Sequence, residues 1–138
     1  MISWVILLDI FEKINLKKMN HYINALKNYA NFKGRSSRKE YWMFFLFNII
    51  FSIVLIILDS ILGTAESQSE TGIFYGLYSL FTLLPSLAVG VRRLHDIGKS
   101  GWMAFVAFIP LIGVIWLLVL LIKEGDQGEN KYGLDPKE

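Results

Sequence analysis

Residues 41–62 read YWMFFLFNIIFSIVLIILDSIL, an apolar run of 22 residues in which Asp59 is the only charged side chain. A helix rises about 1.5 Å per residue, so this run reaches roughly 33 Å, close to the hydrocarbon thickness of a bilayer. Two further apolar runs, 73–91 and 102–122, have nearly the same length. Backbone inside hydrocarbon must satisfy its own hydrogen bonds, and the runs lack the alternation of barrel strands. The sequence therefore predicts an all-α membrane protein with three transmembrane helices, which together form a membrane domain over 41–122.

The overall composition supports this class. Of the 138 residues, 54% are hydrophobic and 19% are charged, whereas soluble domains average about 45–50% and 25%. The absence of cysteine excludes disulfides, thiolate metal sites and cysteine nucleophiles. A net charge of +2 gives no strong field to gather nucleic acid, so we expect no nucleic-acid partner. We also expect no cofactor or metal, because Asp126-x-Gly128-x-Asn130 has glycine where a calcium loop needs a ligand.

Lysine and arginine are distributed unevenly around the runs. Eight precede the first run, none lies between Gly63 and Gly72, three separate the second and third runs, and three follow the third. The first loop instead carries Glu66 and Glu70. Cytoplasmic flanks are enriched in Lys and Arg. We therefore predict a cytoplasmic N-terminus and, after three crossings, an external C-terminus.

The third run has an interruption near its centre, at Pro110 and Gly113. Proline is tolerated in membrane helices, so a kinked 21-residue crossing is the simpler interpretation. The alternative is a re-entrant hairpin, which would return the polar tail, 123–138, to the inside. The tail is rich in glycine and acidic residues and is predicted to be a loop.

The first forty residues fall into two parts. The apolar opening is too short to span and carries Asp9, so residues 1–18 are interpreted as an N-terminal extension of uncertain status. Residues 19–40 form an amphipathic basic segment, with apolar side chains at helical spacing. It is predicted to lie as a short interfacial helix on the inner leaflet, or alternatively to pack on protein. Ser37 and Glu40 have the spacing of a capping box that starts the first crossing.

Polar and small residues within the runs predict helix packing. Asn48, Ser52 and Asp59 share one face of the first helix, and that face should look into the bundle. Asp59 lies near the end of its run and is expected to reach the outer headgroups. The second helix, expected to be central, has a strip of small side chains that would let backbones approach closely: Gly76, Ser79, Ser86 and Gly90.

The second loop is the densest cluster of polar residues and therefore the candidate functional site. Arginines beside a membrane can hold phosphate or carboxylate, and histidine can act as a base near neutral pH. His95 and Asp96 are adjacent, which tends to point them apart, so a catalytic dyad would need another group. We predict no catalytic residue and six contacts to lipid or partner: Arg35, Arg38, Arg92, Arg93, His95 and Asp96.

Three motifs, in order, resemble the domain of unknown function 805 family. They are Phe32-x-Gly34-Arg35-x-Ser37-Arg38-x-Glu40-Tyr41-Trp42, then Arg92-Arg93-Leu94-His95-Asp96-x-Gly98-x-Ser100-Gly101-Trp102, and Gly128-x-Asn130-x-Tyr132-Gly133-x-Asp135-Pro136. The resemblance runs from about Met19 to Pro136. It implies a small multi-pass protein of the bacterial inner membrane, and the family assigns no reaction. Chains of this kind typically begin at the position of Met19, so residues 1–18 are either an upstream start or a genuine extension.

Three hypotheses of function follow. The leading one is a non-enzymatic bundle whose basic cytoplasmic face binds anionic phospholipid of the surrounding bilayer or a membrane protein partner. The second is a transport or channel component built as a homo-oligomer, since three helices alone enclose little space. The third is a membrane-embedded hydrolase or transferase that uses His95.

Overall fold

A computed structural model describes residues 2–65 and 71–137, and this part of the chain is helical. It contains α1 (Ile2–Lys27), α2 (Arg38–Leu62), α3 (Ile73–Asp96), a 3₁₀ helix η1 (Gly101–Phe108) and α4 (Ile112–Ile122). No strand occurs among these residues, only two isolated bridges. Glu66 and Glu70, expected as the acidic residues of the first loop, lie outside the described residues.

Within the described ranges, two helices are long and apolar enough to cross a membrane, α2 and α3. Helix α2 begins as predicted, because Ser37 Oγ accepts a hydrogen bond from the Glu40 backbone N–H at 3.2 Å. The second half of the capping box is not made, since the Glu40 carboxylate binds Arg92 at 3.1 Å instead. An ion pair between helices therefore replaces a local cap.

Helix α3 lies at the centre of the bundle, as predicted, and contacts α1, α2, η1 and α4. It continues five residues beyond the predicted run, so the residues expected in a loop from Arg92 to Asp96 are helical. Gly98, with φ of 69°, ends it. The Gly98 N–H reaches the His95 carbonyl and the Lys99 N–H reaches the Leu94 carbonyl, which is the Schellman pattern.

The prediction of one helix through 102–122 is wrong. Helix η1 ends at Phe108, the chain turns at residues 109–111, and α4 holds only 11 residues. At about 2.0 Å and 1.5 Å per residue, each arm is roughly 16 Å long, half of a bilayer core. The turn contains a γ-turn at Leu111, with φ of 63° and a bond from the Ile112 N–H to the Pro110 carbonyl of 2.7 Å.

The two arms start and finish at the same end of the bundle. Gly101, at the start of η1, packs against Val91 of α3. After α4, the Lys123 carbonyl accepts a hydrogen bond from Arg93, near the end of α3. Residues 101–122 thus form a helical hairpin, which is the chain path that the re-entrant alternative predicted. The predicted placement of the tail opposite the start of α2 is also wrong, because both lie at this end.

Helix α1 is continuous through the predicted boundary at residue 18. Its second half packs on protein, where Tyr22 and Ala25 are buried with Phe44 and Val89. The Tyr22 hydroxyl also lies 3.1 Å from the Tyr78 hydroxyl. The alternative of a helix packed on protein therefore describes this half. The first half is exposed over residues 4–18.

At the opposite end of α2, Asp59 is buried rather than extended toward headgroups. Its carboxylate accepts hydrogen bonds from the backbone N–H groups of Phe74 and Tyr75, at 3.1 and 2.8 Å, and from the Thr64 hydroxyl. These N–H groups belong to the first turn of α3, which lacks a side-chain cap of its own. The carboxylate of one helix thus caps the next.

Candidate functional site

The end of the bundle where α2 begins, α3 ends and the tail docks, hereafter the basic end, contains a buried ionic cluster. The cluster has three arginines and three carboxylates, each less than 10% exposed: Arg35, Arg92, Arg93, Glu40, Asp96 and Asp135. Buried charges require partners because their desolvation is costly. The formal charges within this cluster balance, which satisfies that requirement.

Arg35 connects the tail to α3. Its Nε donates to Asp96 Oδ1 at 3.0 Å, and its Nη atoms donate to the backbone carbonyls of Asp126, Gly128 and Gly133. A planar guanidinium has five N–H donors in a fixed fork, which suits this number of oxygens around one side chain. The residue before it, Gly34, has φ of 81° and makes the turn that aims Arg35 inward.

Arg93 fixes the end of α4 in the same way. Its Nη1 donates to Asp96 Oδ2 at 2.5 Å, its Nε donates to the Leu121 carbonyl at 3.1 Å, and its Nη2 donates to the Lys123 carbonyl. These two carbonyls belong to the last turn of α4 and its cap, which have no intrahelical donors. Asp96 is therefore shared by two arginines, one holding the tail and one holding α4.

The third pair, Arg92 with Glu40, is less completely satisfied. Arg92 Nη1 lies 3.1 Å from Glu40 Oε1, while Arg92 Nε and Nη2 and Ser36 Oγ are buried without a partner among the described residues. The Ser36 N–H donates to the Arg92 carbonyl at 3.0 Å. The pair therefore ties the segment before α2 to α3 and leaves three polar atoms for internal water.

His95 makes contacts that differ from those of its neighbour Asp96. Its Nδ1 lies 3.0 Å from the Gly34 carbonyl, so Nδ1 carries a proton. Its ring stacks on Tyr132 of the tail at 3.9 Å and 5° between planes. Among the described residues no carboxylate is bonded to the ring. The Asp96 carboxylate instead binds Arg35 and Arg93.

Asp135 fastens the end of the tail. Its carboxylate accepts hydrogen bonds from the backbone N–H groups of Lys137 and Gly128, at 3.0 and 3.1 Å, and lies 4.0 Å from Arg35. The Lys137 N–H is the main cause that lowers the pKa of Asp135 below its ordinary value, opposed in part by burial. The carboxylate is thus held in its charged form.

The remaining cations of the basic end are exposed. The predicted contact Arg38 is among them, whereas Arg35, Arg92, Arg93 and Asp96 are enclosed in the ionic cluster. The exposed set consists of Lys27, Lys33, Arg38, Lys39, Lys99, Lys123, Lys131 and Lys137. Glu124 and Glu129 of the tail are exposed beside them. Because the cluster is balanced internally, this surface is positively charged.

An apolar groove of about 630 Å³ opens between α3 and η1. His95, Ser100 and Tyr132 line one end of it, and Leu87, Ala107 and Phe108 line the other part. His95 lines the groove, and the next residue of α3, Asp96, belongs to the ionic cluster, so the groove and the cluster adjoin at this point. We refer to this feature as the η1 groove.

The residues predicted for helix packing are divided. Asn48 accepts a hydrogen bond from the Tyr78 hydroxyl at 2.6 Å, so it faces α3, and Ser52, Gly76 and Gly90 are half-buried. Ser79 and Ser86 are exposed, and their hydroxyls bond carbonyls of their own helix. The buried face of α3 consists instead of Thr82, Pro85, Ala88, Val89 and the last turn.

Sequence reasoning missed the contribution of the tail and of Glu40. Asn130 donates to the His95 carbonyl at 2.9 Å and to Asp126 Oδ2 at 3.1 Å, and the Asp126 N–H donates to the Asp96 carbonyl at 2.8 Å. Tyr132 and Asp135 complete these contacts. The signal was present, because the third motif consists largely of these residues, but the glycine-rich tail predicted only a loop.

Comparison with known proteins places the chain among small membrane proteins. Inner membrane protein YhaH of Escherichia coli is 47% identical over 119 residues, which cover 86% of this chain and 98% of that protein. Inner membrane protein YhaI is 46% identical over 119 residues, or 86% and 97% of the two chains. Uncharacterized protein YiiR is 32% identical and covers 78% and 87%.

No solved structure matches the chain. The family model described as protein of unknown function DUF805 matches residues 29–134. This range contains the η1 groove and both helices that are able to cross a membrane. It also contains every residue of the ionic cluster except Asp135. The chain therefore belongs to the DUF805 family of membrane proteins, whose function is unknown.

Proposed function

We propose that this membrane protein lies in the bacterial cytoplasmic membrane with its basic end inside, and that it binds anionic phospholipid there without catalysing a reaction. The observation that carries the proposal is the division of charge at that end. Three arginines are neutralised in the ionic cluster, while eight further cations remain exposed beside two exposed glutamates. Basic residues next to a span attract anionic headgroups by about 1 kcal/mol each.

The proposal changes which residues meet the lipid. Arg35, Arg92 and Arg93 hold the protein together, so they contribute no free charge to a headgroup. The exposed residues Arg38 and Lys39 lie at the start of α2, where interfacial phosphates are expected. Lys99 lies beside the start of η1, and Lys131 lies in the tail. These four side chains are the contacts that the geometry favours.

The test is to identify the lipids retained by the purified full-length protein. The protein is extracted from bacterial membranes in mild detergent, and the bound lipids are measured by native mass spectrometry. The test variant replaces Arg38, Lys39, Lys99 and Lys131 with glutamine. The matched control replaces Lys13, Lys17 and Lys18, which are exposed on α1 away from the basic end.

We expect the wild-type protein and the control to retain anionic lipids above their share of the membrane, and the test variant to lose this enrichment. Wild-type protein whose bound lipids mirror the bulk membrane would refute the proposal. So would a test variant that inserts normally and keeps the enrichment. Recovery of a stoichiometric protein in place of lipid would favour the partner-binding hypothesis.

A further inference from the structure

We propose that the η1 groove holds one molecule of an anionic phospholipid whose headgroup carries hydroxyl groups, with an acyl chain in the groove and a headgroup hydroxyl donating to His95 Nε2. This inference rests on the proposed function and names the lipid class and its site.

The lining of the groove matches an amphiphile. Its polar mouth, at His95, Ser100 and Tyr132, lies at the basic end. From His95 to Leu87 the groove follows α3 for eight residues, or roughly 12 Å at the helical rise. The wall over this distance is apolar and includes Val91, Phe105 and Phe108. A soluble anion would leave this length of apolar wall uncovered.

The mouth contains a polar atom that is built into the fold but has no partner. His95 is only 9% exposed, and its ring is fixed by the Gly34 carbonyl and by stacking on Tyr132. Nδ1 is the donor to that carbonyl, which leaves Nε2 without a hydrogen bond among the described residues. This atom is open to the mouth of the groove, so a ligand group or a water can pair with it there.

The chemistry of Nε2 selects the ligand group. A buried imidazole without an anionic partner is neutral, and with the proton on Nδ1 its Nε2 is an acceptor. The ligand must therefore offer a donor. Exposed Lys99 lies next to Ser100, and Lys131 Nζ lies 5.0 Å from the Tyr132 ring centroid. These cations repel an ammonium donor and attract phosphate, so a hydroxyl next to a phosphodiester fits both requirements.

The first experiment compares three lipids with identical acyl chains on the full-length protein in detergent. Phosphatidylglycerol has the hydroxyl and the phosphodiester, phosphatidic acid has the anion without the glycerol hydroxyls, and phosphatidylethanolamine has the ammonium donor. Native mass spectrometry measures which lipid remains bound. We expect phosphatidylglycerol to exceed the other two by about fivefold, the factor expected for one hydrogen bond.

Two substitutions of His95 separate its ring nitrogens. His95→Asn can keep a donor to the Gly34 carbonyl but has no atom at the place of Nε2, so it should bind phosphatidylglycerol and phosphatidic acid equally. His95→Gln carries its amide to the place of Nε2 and should retain the preference for phosphatidylglycerol. A purely structural role of the ring would affect both lipids equally and would not produce this contrast.

A second pair of variants tests the position of the acyl chain. Ala107→Trp fills the groove, whereas Val114→Trp adds the same side chain to an exposed position of α4 outside it. We expect Ala107→Trp to lose the bound phosphatidylglycerol, and Val114→Trp to keep it.

The outcomes distinguish this inference from the proposed function. Equal binding of phosphatidylglycerol and phosphatidic acid by wild-type protein, or unchanged binding by Ala107→Trp, overturns the groove site. If anionic lipids still exceed phosphatidylethanolamine in that case, the proposed function stands. If phosphatidylethanolamine binds as well as either anionic lipid, both proposals fail.

Discussion

Arg35 is the residue that holds the two ends of the family region together, since its partners lie at Asp96 and in the tail. We predict that Arg35→Gln lowers the free energy of unfolding by about 3–5 kcal/mol, because it leaves buried carboxylate and carbonyl groups without their donor. It should also expose the tail to protease between Glu124 and Lys137. Thermal unfolding in detergent and limited proteolysis measure the two effects.

The control for this prediction is Lys33→Gln, two residues earlier and exposed. Surface substitutions of this kind usually change stability by less than about 0.5 kcal/mol. Arg35→Gln protein that unfolds at the wild-type temperature with a protected tail would show that the contacts of Arg35 contribute nothing to docking.

Asp135 gives the tail a pH dependence whose direction follows from its pKa. The folded pKa is lowered below the ordinary value of 3.8, chiefly by the Lys137 N–H. The stabilisation is therefore complete above that ordinary value and is lost as the pH falls through the lower folded pKa. We expect the tail amides of wild-type protein to lose protection from hydrogen exchange in this acid range.

The comparison for the pH dependence is Asp135→Asn, which cannot titrate. Its tail should be less protected than the wild-type tail near neutral pH, and the difference between the two proteins should shrink in acid. A difference that stays constant from pH 7 into the acid range would contradict this assignment.

At the scale of elements, the hairpin of η1 and α4 decides the topology. Two short arms joined at Leu111 return the chain to the end from which it left, so the helices able to cross a membrane are α2 and α3, and the tail stays with the start of α2. We predict that residues 33 and 137 are accessible from the same side, and residue 67, in the connection between α2 and α3, from the other.

The natural chain has no cysteine, so single-cysteine variants measure this directly. Lys33→Cys, Lys137→Cys and Ser67→Cys are labelled in intact cells with a maleimide that does not cross the membrane, before and after permeabilisation. Ser67→Cys should react in intact cells, and the other two only after permeabilisation. Labelling of Lys137→Cys but not Lys33→Cys in intact cells would show that a third segment crosses the membrane.

Local signals in the sequence predicted local structure well. Ser37 caps α2 as its spacing from Glu40 predicted, because this feature depends on residues within one helical turn. Pro110 and Gly113 likewise marked a real interruption. No local signal distinguishes a kinked helix from a hairpin, because the hairpin is held by hydrogen bonds from Arg93 to carbonyls about 30 residues away.

The candidate site was predicted in its residues but not in its roles. The sequence predicts Arg35, Arg92 and Arg93 as contacts to lipid or a partner, because they are cations next to a membrane span. Their carboxylates lie 61, 52 and 3 positions away in the chain, so spacing could not show that the charges neutralise one another. Only Asp96, at helical distance from Arg93, was within reach of such an argument.

For the whole molecule, the two helices that are able to cross a membrane are joined at both ends by buried charged side chains. At one end the Asp59 carboxylate caps α3, and at the other Glu40 binds Arg92, so each contact joins α2 to α3. Between them, Tyr22 of α1 packs on Phe44 and bonds Tyr78. Apolar packing gives little orientation between helices in lipid, so these polar contacts fix the register of the bundle.

This arrangement assigns no structural role to the first half of α1, because residues 4–18 are exposed while Tyr22 and Ala25 are buried. We predict that a chain starting at Met19 inserts and unfolds at the wild-type temperature in detergent, whereas Tyr22→Ala in the full-length chain loses about 3–5 kcal/mol, as for other buried aromatic side chains. The free energy of unfolding of the three proteins, measured in the same detergent, checks both statements. A shortened chain as unstable as Tyr22→Ala would mean that residues 1–18 contribute to the fold through contacts outside the monomer, with lipid or with a second copy.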